Sequence, residues 1–81
     1  MEEAKRRANE KKFGQWEELP AGGRRYWYDA IGPSGWRARY IKDVDANEKT
    51  TRFVQEIYEP SGRLTQIHQK YPVDLGHRKV E

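Results

Sequence analysis

The sequence contains no cysteine and only one methionine among its 81 residues. The lack of cysteine excludes a disulfide framework, a thiolate zinc site and a cysteine nucleophile. Apolar residues make up only 35% of the chain, and no apolar run approaches the roughly 18 residues of a membrane-spanning helix. The N-terminus is polar and does not have the pattern of a secretory signal. We therefore expect a cytoplasmic protein that does not enter membranes.

Aromatic side chains take the place of a large aliphatic core: there are three Trp, five Tyr and two Phe. Each can bury on the order of 150–250 Å², which suits one small domain over residues 1–81. The formal net charge is +3. Acidic and basic residues balance in residues 1–18, so the basic excess lies in residues 19–81 and favours an anionic partner.

The N-terminal segment has the composition of a polar helix. Residues 2–12 are good helix formers, with acidic residues early and basic residues late, which suits the helix dipole. They contain almost no apolar side chain, so we expect a helical segment within residues 1–18 that has no stripe for docking and frays. The first residues able to pack are Phe13, Trp16 and Leu19. Pro20 and the glycine pair at 22–23 end this segment.

From residue 24 onward, short runs rich in Tyr, Trp, Ile, Val and Thr are typical of β-strands. We predict four strands, over residues 24–31, 36–43, 50–58 and 63–70. Two connections read x-Pro-Ser-Gly, at residues 32–35 and 59–62; proline presets such a turn and glycine supplies its positive φ. The predicted fold class is α+β: an N-terminal helix, a four-stranded antiparallel β-meander over residues 24–70 and an irregular tail over residues 71–81.

The first hairpin turn fixes a register, and that register predicts which side chains share a face. If Gly32 pairs with Trp36, then Asp29 lies opposite Arg39 and an aromatic set becomes the candidate core. This set consists of Tyr26, Tyr28, Ala30, Trp36, Ala38 and Tyr40. We expect it to be covered by the N-terminal segment.

The second hairpin turn predicts a polar face. If Glu59 pairs with Arg63, then Tyr58 faces Leu64, Glu56 faces Gln66 and Val54 faces His68. The better core on this hairpin is the other set, Phe53, Gln55, Ile57, Thr65 and Ile67. Together the two hairpins predict one polar sheet face with Trp27, Arg37, Arg39, Arg52, Glu56, Tyr58, His68 and Lys70.

This predicted polar face could cleave RNA by general acid–base catalysis. One group would deprotonate the ribose 2′-hydroxyl, another would protonate the leaving oxygen, and cations would stabilise the charge on phosphate. Histidine suits the task because its ordinary pKa lies near neutrality. The candidate catalytic residues are His68, Glu56, Arg52 and Lys70. The candidate phosphate- or RNA-binding residues are Arg37, Arg39, His77, Arg78 and Lys79.

We expect neither a metal nor a cofactor. The two histidines, His68 and His77, have only Asp74 near them in sequence, which is too sparse a ligand set. Residues 43–49 resemble the start of a calcium loop, but Glu48 stands where glycine is required. A polar connector between the hairpins is the better interpretation of this loop.

Two non-catalytic interpretations stay open. Antiparallel sheets commonly leave one face solvated with cross-strand ion pairs. Tyr and Trp interleaved with Arg, in residues 24–28 and 36–40, also fit stacking on unpaired bases. The alternative to a metal-independent endoribonuclease is therefore a binding module for nucleic acid or a protein partner that uses the same basic, aromatic face. A further alternative is a protein-interaction module, as a monomer or a dimer, that uses exposed Trp27 and Ile41.

The run from Gly22 to Val80, which begins GGRRYWYD and ends HQKYPVDLGHRKV, resembles small modules at the C-terminal ends of bacterial polymorphic toxins and short stand-alone bacterial proteins. A helix followed by an antiparallel sheet is also similar to barnase-like and colicin-like ribonuclease toxins, although the chain lacks their second helix. Those toxins carry Glu, His, Arg and Lys on the sheet face, which corresponds to Glu56, His68, Arg52 and Lys70 in the predicted register. The resemblance implies RNA as substrate, a small acidic inhibitor as partner, and delivery into a target cell if the chain is part of a larger toxin. We expect a monomer or weak dimer.

Overall fold

The computed structural model describes residues 2–80. The elements are α1 (Glu2–Phe13), β1 (Gln15–Glu18), β2 (Arg24–Ile31), β3 (Arg37–Val44), β4 (Thr50–Tyr58), β5 (Leu64–Tyr71) and β6 (Gly76–Lys79). The strands form one antiparallel sheet in the order β1-β2-β3-β4-β5-β6, so each pairs with its neighbours in sequence. The predicted α+β class with an N-terminal helix and an antiparallel sheet is confirmed, but the sheet has six strands rather than four.

Both Pro-Ser-Gly turns form as predicted. The Gly32 N–H donates to the Trp36 carbonyl at 2.7 Å, and the Glu59 N–H donates to the Arg63 carbonyl at 3.0 Å. Gly35 and Gly62 close the turns with φ values of +84° and +92°, where a side chain would be strained. Local turn chemistry therefore fixes the start of each hairpin.

Two short strands extend the sheet beyond the predicted four. β1 precedes β2 and pairs with it, with Trp16 opposite Tyr26. β6 pairs with β5, with Ile67 opposite Arg78, so the prediction of an irregular tail is wrong for residues 76–79. Residue 81, the last of the predicted tail, lies outside the described residues.

The core lies where α1 crosses one face of the sheet. Phe13, Tyr26 and Val44 are buried together, and the Phe13 ring lies 5.8 Å from the Tyr26 ring and 5.4 Å from the Tyr28 ring between centroids. Arg24 of β2 donates to Glu10 of α1 at 2.7 Å. Phe13, one of the residues expected to pack, therefore docks the helix on the aromatic face. Polar groups attach the helix as well, which the absence of an apolar stripe did not predict.

Glu48, in the connection between β3 and β4, is the main polar anchor of the helix. Its carboxylate accepts hydrogen bonds from Arg6 Nε at 2.8 Å, from Asn9 Nδ2 at 3.1 Å and from the Tyr26 hydroxyl. Burial alone would raise the pKa of Glu48, but these three hydrogen bonds lower it overall. Burial and the contact with Glu48 raise the pKa of Tyr26 to about 12. The loop is therefore a polar connector that is not solvated along its whole length, because the ionised carboxylate of Glu48 lies under the helix.

The sheet has two unlike faces. We call the face that packs against α1 the helix-side face; it includes Tyr26, Tyr28 and Tyr40. The opposite face, which we call the open face, includes Trp27 and Ile41. The radius of gyration is 13.6 Å, above the roughly 12 Å of a compact chain of this length. This difference is consistent with a single-layered sheet that a helix covers in part.

Candidate functional site

A β-bulge in the second hairpin divides the predicted site. Tyr58 pairs with Leu64 as predicted, but the next pair is Ile57 with Gln66, which leaves Thr65 as an extra residue. The Thr65 hydroxyl donates to the Ile57 carbonyl at 3.1 Å. Because side chains alternate between faces, this one-residue shift moves every later residue of β5 to the other face.

The predicted pairings beyond the bulge are wrong. Glu56 pairs with Ile67 rather than Gln66, and Val54 pairs with Gln69 rather than His68. His68 lies opposite Gln55, whose Nε2 donates to the Tyr40 hydroxyl on the helix-side face. His68 and Glu56 therefore lie on opposite faces and cannot act as one acid–base pair. The same shift moves Ile67 from the predicted core set to the open face.

The register distributes the predicted site residues over both faces. The helix-side face holds His68, Lys70, His77 and Lys79. The open face holds Arg37, Arg39, Arg52, Glu56 and Arg78. The structure thus brings together the histidines with the lysines, and Glu56 with the arginines, but it does not form the predicted polar face.

Fixed ion pairs dominate the open face. Arg39 donates to the Asp29 carboxylate at 2.8 and 3.1 Å, which confirms the predicted pairing of these two residues. Arg25 holds Asp43 in the same two-pronged way, at 2.8 and 3.0 Å. The hydrogen bonds from Arg39 lower the pKa of Asp29 against the opposing effect of burial. Glu56 is engaged too, since it accepts the Tyr58 hydroxyl at 2.7 Å.

On the helix-side face, planar side chains form one continuous row. The cross-strand pairs run Tyr28 with Tyr40, Tyr40 with Gln55, Gln55 with His68, and His68 with His77. This row crosses the five strands from β2 to β6, a span of roughly 19 Å at the usual spacing between strands. We call it the planar row.

The planar row is aromatic at its β2 end and lies beside a lysine. The Tyr28 and Tyr40 rings are stacked, with centroids 4.9 Å apart, and the Phe53 ring follows at 6.4 Å from Tyr40. Lys70 is the extra residue of a second irregularity in β5, because Phe53 pairs with Tyr71 while Val54 pairs with Gln69. Its ammonium lies 5.3 Å from the Tyr40 centroid, within range of a cation–π contact.

The lysines on this face form no salt bridges with carboxylates, although Glu48 lies near Lys42 and Asp74 near Lys70. Among the side chains described in residues 3–80, no carboxylate forms a salt bridge with Lys42, Lys70 or Lys79. Lys42 instead donates to the Asn9 side-chain carbonyl at 3.1 Å. Burial, and secondarily the nearby Lys12, lower the pKa of Lys42. The helix-side face therefore combines aromatic rings with lysines that form no salt bridge.

The histidines end the planar row. Their ring centroids are 4.6 Å apart, and His68 Nε2 lies 2.6 Å from Asp74 Oδ1. A backbone hydrogen bond from Gly76 and the contact with His68 lower the pKa of Asp74. The other ring nitrogen of His68, Nδ1, is buried without a hydrogen-bond partner among the described residues. One nitrogen of His68 is thus engaged and the other is inaccessible, a poor arrangement for proton transfer with a substrate.

Within residues 2–80, no three His, Asp or Glu side chains come together as a set that could hold a metal ion. No helix in the same range is long and apolar enough to cross a membrane.

The chain matches no protein-family model, and no curated protein or solved structure is significantly similar to it. Function must therefore be argued from the two sheet faces themselves.

Sequence reasoning did not assign Tyr28, Tyr40 and Gln55 to a site. It placed all three in the candidate core sets, whereas in the structure they are only half-buried. The one available signal was the interleaving of aromatic and basic residues in residues 24–28 and 36–40. That signal is ambiguous, because an aromatic core produces the same composition.

Proposed function

We propose that this protein is a binding module for single-stranded nucleic acid, with the planar row on the helix-side face as its contact surface. The observation that carries the proposal is the coincidence of this row with lysines that have no carboxylate partner. Unpaired bases stack on aromatic side chains without strong sequence preference, while cations follow the phosphates. Double-stranded nucleic acid keeps its bases inside and would leave the planar side chains without partners.

The side chains of the planar row are not equally accessible to such a strand. Tyr28 is partly covered by Phe13 of α1, so bases would stack chiefly from Tyr40 towards the histidines. Lys42 lies in β3 and Lys70 in β5, both beside the row, while Lys79 lies in β6. Three lysines allow about three phosphate contacts, and for single strands each contact adds about 0.7 to the salt slope of log K.

We propose binding in preference to the endoribonuclease hypothesis. The acid–base pair predicted for cleavage, Glu56 with His68, is separated by the sheet. His68 also directs Nε2 towards Asp74 and leaves Nδ1 inaccessible. Cleavage stays a prediction that nothing tests so far, and the binding experiment can test it as well.

The test is fluorescence anisotropy with a labelled single-stranded RNA of about 12 nucleotides, a DNA of the same sequence, and the corresponding duplexes. Single strands should bind more tightly than duplexes, and a plot of log K against log[salt] should have a slope near −2 for three contacts. Lys70→Gln should make the slope shallower by about 0.7, since one phosphate contact is lost.

Arg52→Gln is the matched control, because Arg52 is an exposed cation on the open face that forms no salt bridge within the described residues. Equal effects of the two substitutions, or equal binding of duplex and single strand, would overturn the proposal. Denaturing gels of the same samples, with and without EDTA, show whether the RNA stays intact. Cleavage that His68→Ala abolishes would establish the ribonuclease hypothesis instead.

A further inference from the structure

Lysine and arginine are separated between the two faces of the sheet. Among the described strand residues, the register places Arg25, Arg37, Arg39, Arg52 and Arg78 on the open face. It places no lysine there, although Lys79, at the end of β6, contributes to a pocket beside Arg52 and Arg78. The helix-side face carries Lys42, Lys70 and Lys79, and its one arginine, Arg24, is buried under the helix. The two faces therefore differ in their accessible cations, which are arginines on the open face and lysines on the helix-side face.

The arginines of the open face surround an apolar centre. Trp27, Ile41 and Val54 lie directly opposite one another across β2, β3 and β4. Val54 is only 1% exposed, while Trp27 and Ile41 are half-buried. Beside them, Arg25 and Arg39 contribute to the lining of a shallow pocket of about 280 Å³, together with Glu17, which lies 3.6 Å from Arg25. Because Val54 is itself buried, only the exposed parts of Trp27 and Ile41 are open to a partner.

Three of these arginines pair with carboxylates: Arg37 lies 3.7 Å from Asp29, and Arg25 and Arg39 are each held by two hydrogen bonds. Asp43 is 8% exposed and binds Arg25 through two hydrogen bonds, and Asp29 binds Arg39 in the same way. The Asp43 side chain is more deeply buried than that of Arg25, so a partner would meet the guanidinium rather than the acid. Guanidiniums fixed in advance lose less side-chain freedom on binding, which favours affinity.

We propose that the open face docks a protein surface that presents carboxylates around an apolar centre. Trp, Tyr and Arg are enriched and Lys is depleted at protein–protein interfaces, and the open face has this composition. Arg52 and Arg78 form no salt bridges within the described residues and are available to acidic side chains of the partner. The inference goes beyond nucleic-acid binding, because it concerns the other face.

The probe is a pair of amphipathic helical peptides of about four turns with one leucine stripe, flanked by glutamates in one peptide and by lysines in the other. Each is titrated into ¹⁵N-labelled full-length protein. The glutamate peptide should bind saturably, shift the indole and backbone signals of Trp27 and Ile41, and leave Tyr40 unchanged. The lysine peptide should bind at least tenfold more weakly.

Two matched double variants separate this proposal from the proposed function. Arg52→Gln with Arg78→Gln should weaken the glutamate peptide three- to tenfold and leave oligonucleotide binding unchanged. Lys70→Gln with Lys79→Gln should do the reverse. Equal binding of the two peptides, or shifts centred on Tyr40, would overturn the docking proposal. Concentration-dependent shifts of Trp27 without peptide would also overturn it, because they would identify a second copy as the occupant.

Discussion

The two faces of the sheet carry similar numbers of cations but use them differently. On the open face, Arg25 and Arg39 each donate hydrogen bonds to an aspartate carboxylate. On the helix-side face, Lys70 lies over the ring of Tyr40 and has no carboxylate partner among the described side chains. Formal charge alone therefore does not distinguish the two faces; the pairing of each cation does.

The choice of cation fits this difference. The planar guanidinium of arginine offers a fork that matches a carboxylate, whereas the lysine ammonium is a point charge on a flexible stem. A forked ion pair fixes a surface in one geometry, and a free ammonium can follow a mobile phosphate chain. The contrast between a fixed face and an adaptable face can be tested in three ways.

The largest effect is expected from removing the polar anchor of the helix, because the packing of the helix is what distinguishes the two faces. Glu48→Ala should lower the free energy of unfolding by about 3 kcal/mol, because it removes the acceptor of a buried cluster and leaves the Tyr26 hydroxyl unpaired. Urea denaturation followed by Trp fluorescence measures this loss. Glu3→Ala, which breaks an exposed pair with Arg7, is the control and should cost about 0.3–0.5 kcal/mol. Equal losses would show that Glu48 does not anchor the helix.

A smaller effect should separate the faces in binding. Tyr40→Leu keeps an apolar side chain but removes a stacking surface from the planar row, so the Kd for single-stranded RNA should rise about tenfold. Trp27→Leu, the corresponding aromatic change on the open face, should leave the Kd unchanged. Anisotropy titrations of both variants provide the measurement. The opposite outcome would assign the nucleic acid to the open face.

The smallest effect is expected from one ion pair of the open face. Asp29→Asn should cost less than about 1 kcal/mol at neutral pH, because the pair is partly solvated. Since Arg39 lowers the pKa of Asp29 in the folded protein, the pair stabilises above the ordinary pKa of 3.8, and this contribution is lost as pH falls through the lowered value. The urea midpoint of the variant should therefore fall less between about pH 5 and about pH 3 than that of the unmodified protein. Parallel acid curves would show that the pair does not contribute.

The hairpins could be predicted because turn chemistry is local. The Pro-Ser-Gly turns identify their own strands, and the first hairpin keeps its predicted register along its whole length, including Asp29 opposite Arg39. β1 and β6 could not be found in this way. Each is four residues long, and neither Gln15–Glu18 nor Gly76–Lys79 has the hydrophobic alternation of a strand.

The division of the site could not be predicted because it depends on one extra residue. Thr65 has no mark in the sequence; its bulge is fixed by a hydrogen bond from its hydroxyl and by the Val80 N–H, which donates to its carbonyl at 2.8 Å. That second bond comes from beyond β6, a strand the sequence did not reveal. The predicted register is wrong by only one residue, but this shift places His68 and Lys70 on the opposite face of the sheet.

Glu48 escaped prediction for a related reason. An acidic residue in a polar loop is ordinarily solvated, and nothing near it in sequence indicates otherwise. Its donors come from residues 6, 9 and 26, so only the folded chain assembles the cluster. Local patterns therefore predicted the turns, whereas the polar core required distant parts of the chain.

The sequential order of the strands has a consequence for the entropy of folding. Every strand pairing closes a short segment of chain, and the paired residues furthest apart in sequence are Arg37 and Tyr58. The contacts of Glu48 with Asn9 and Arg6 join residues 39 and 42 positions apart. Because loop-closure entropy grows with the length of the loop, each hairpin closes at a lower entropy cost than these contacts would from the open chain. Once the hairpins have formed, much of the chain between the helix and Glu48 is already ordered. The contacts of Glu48 with the helix then close a shorter flexible segment, at a lower entropy cost.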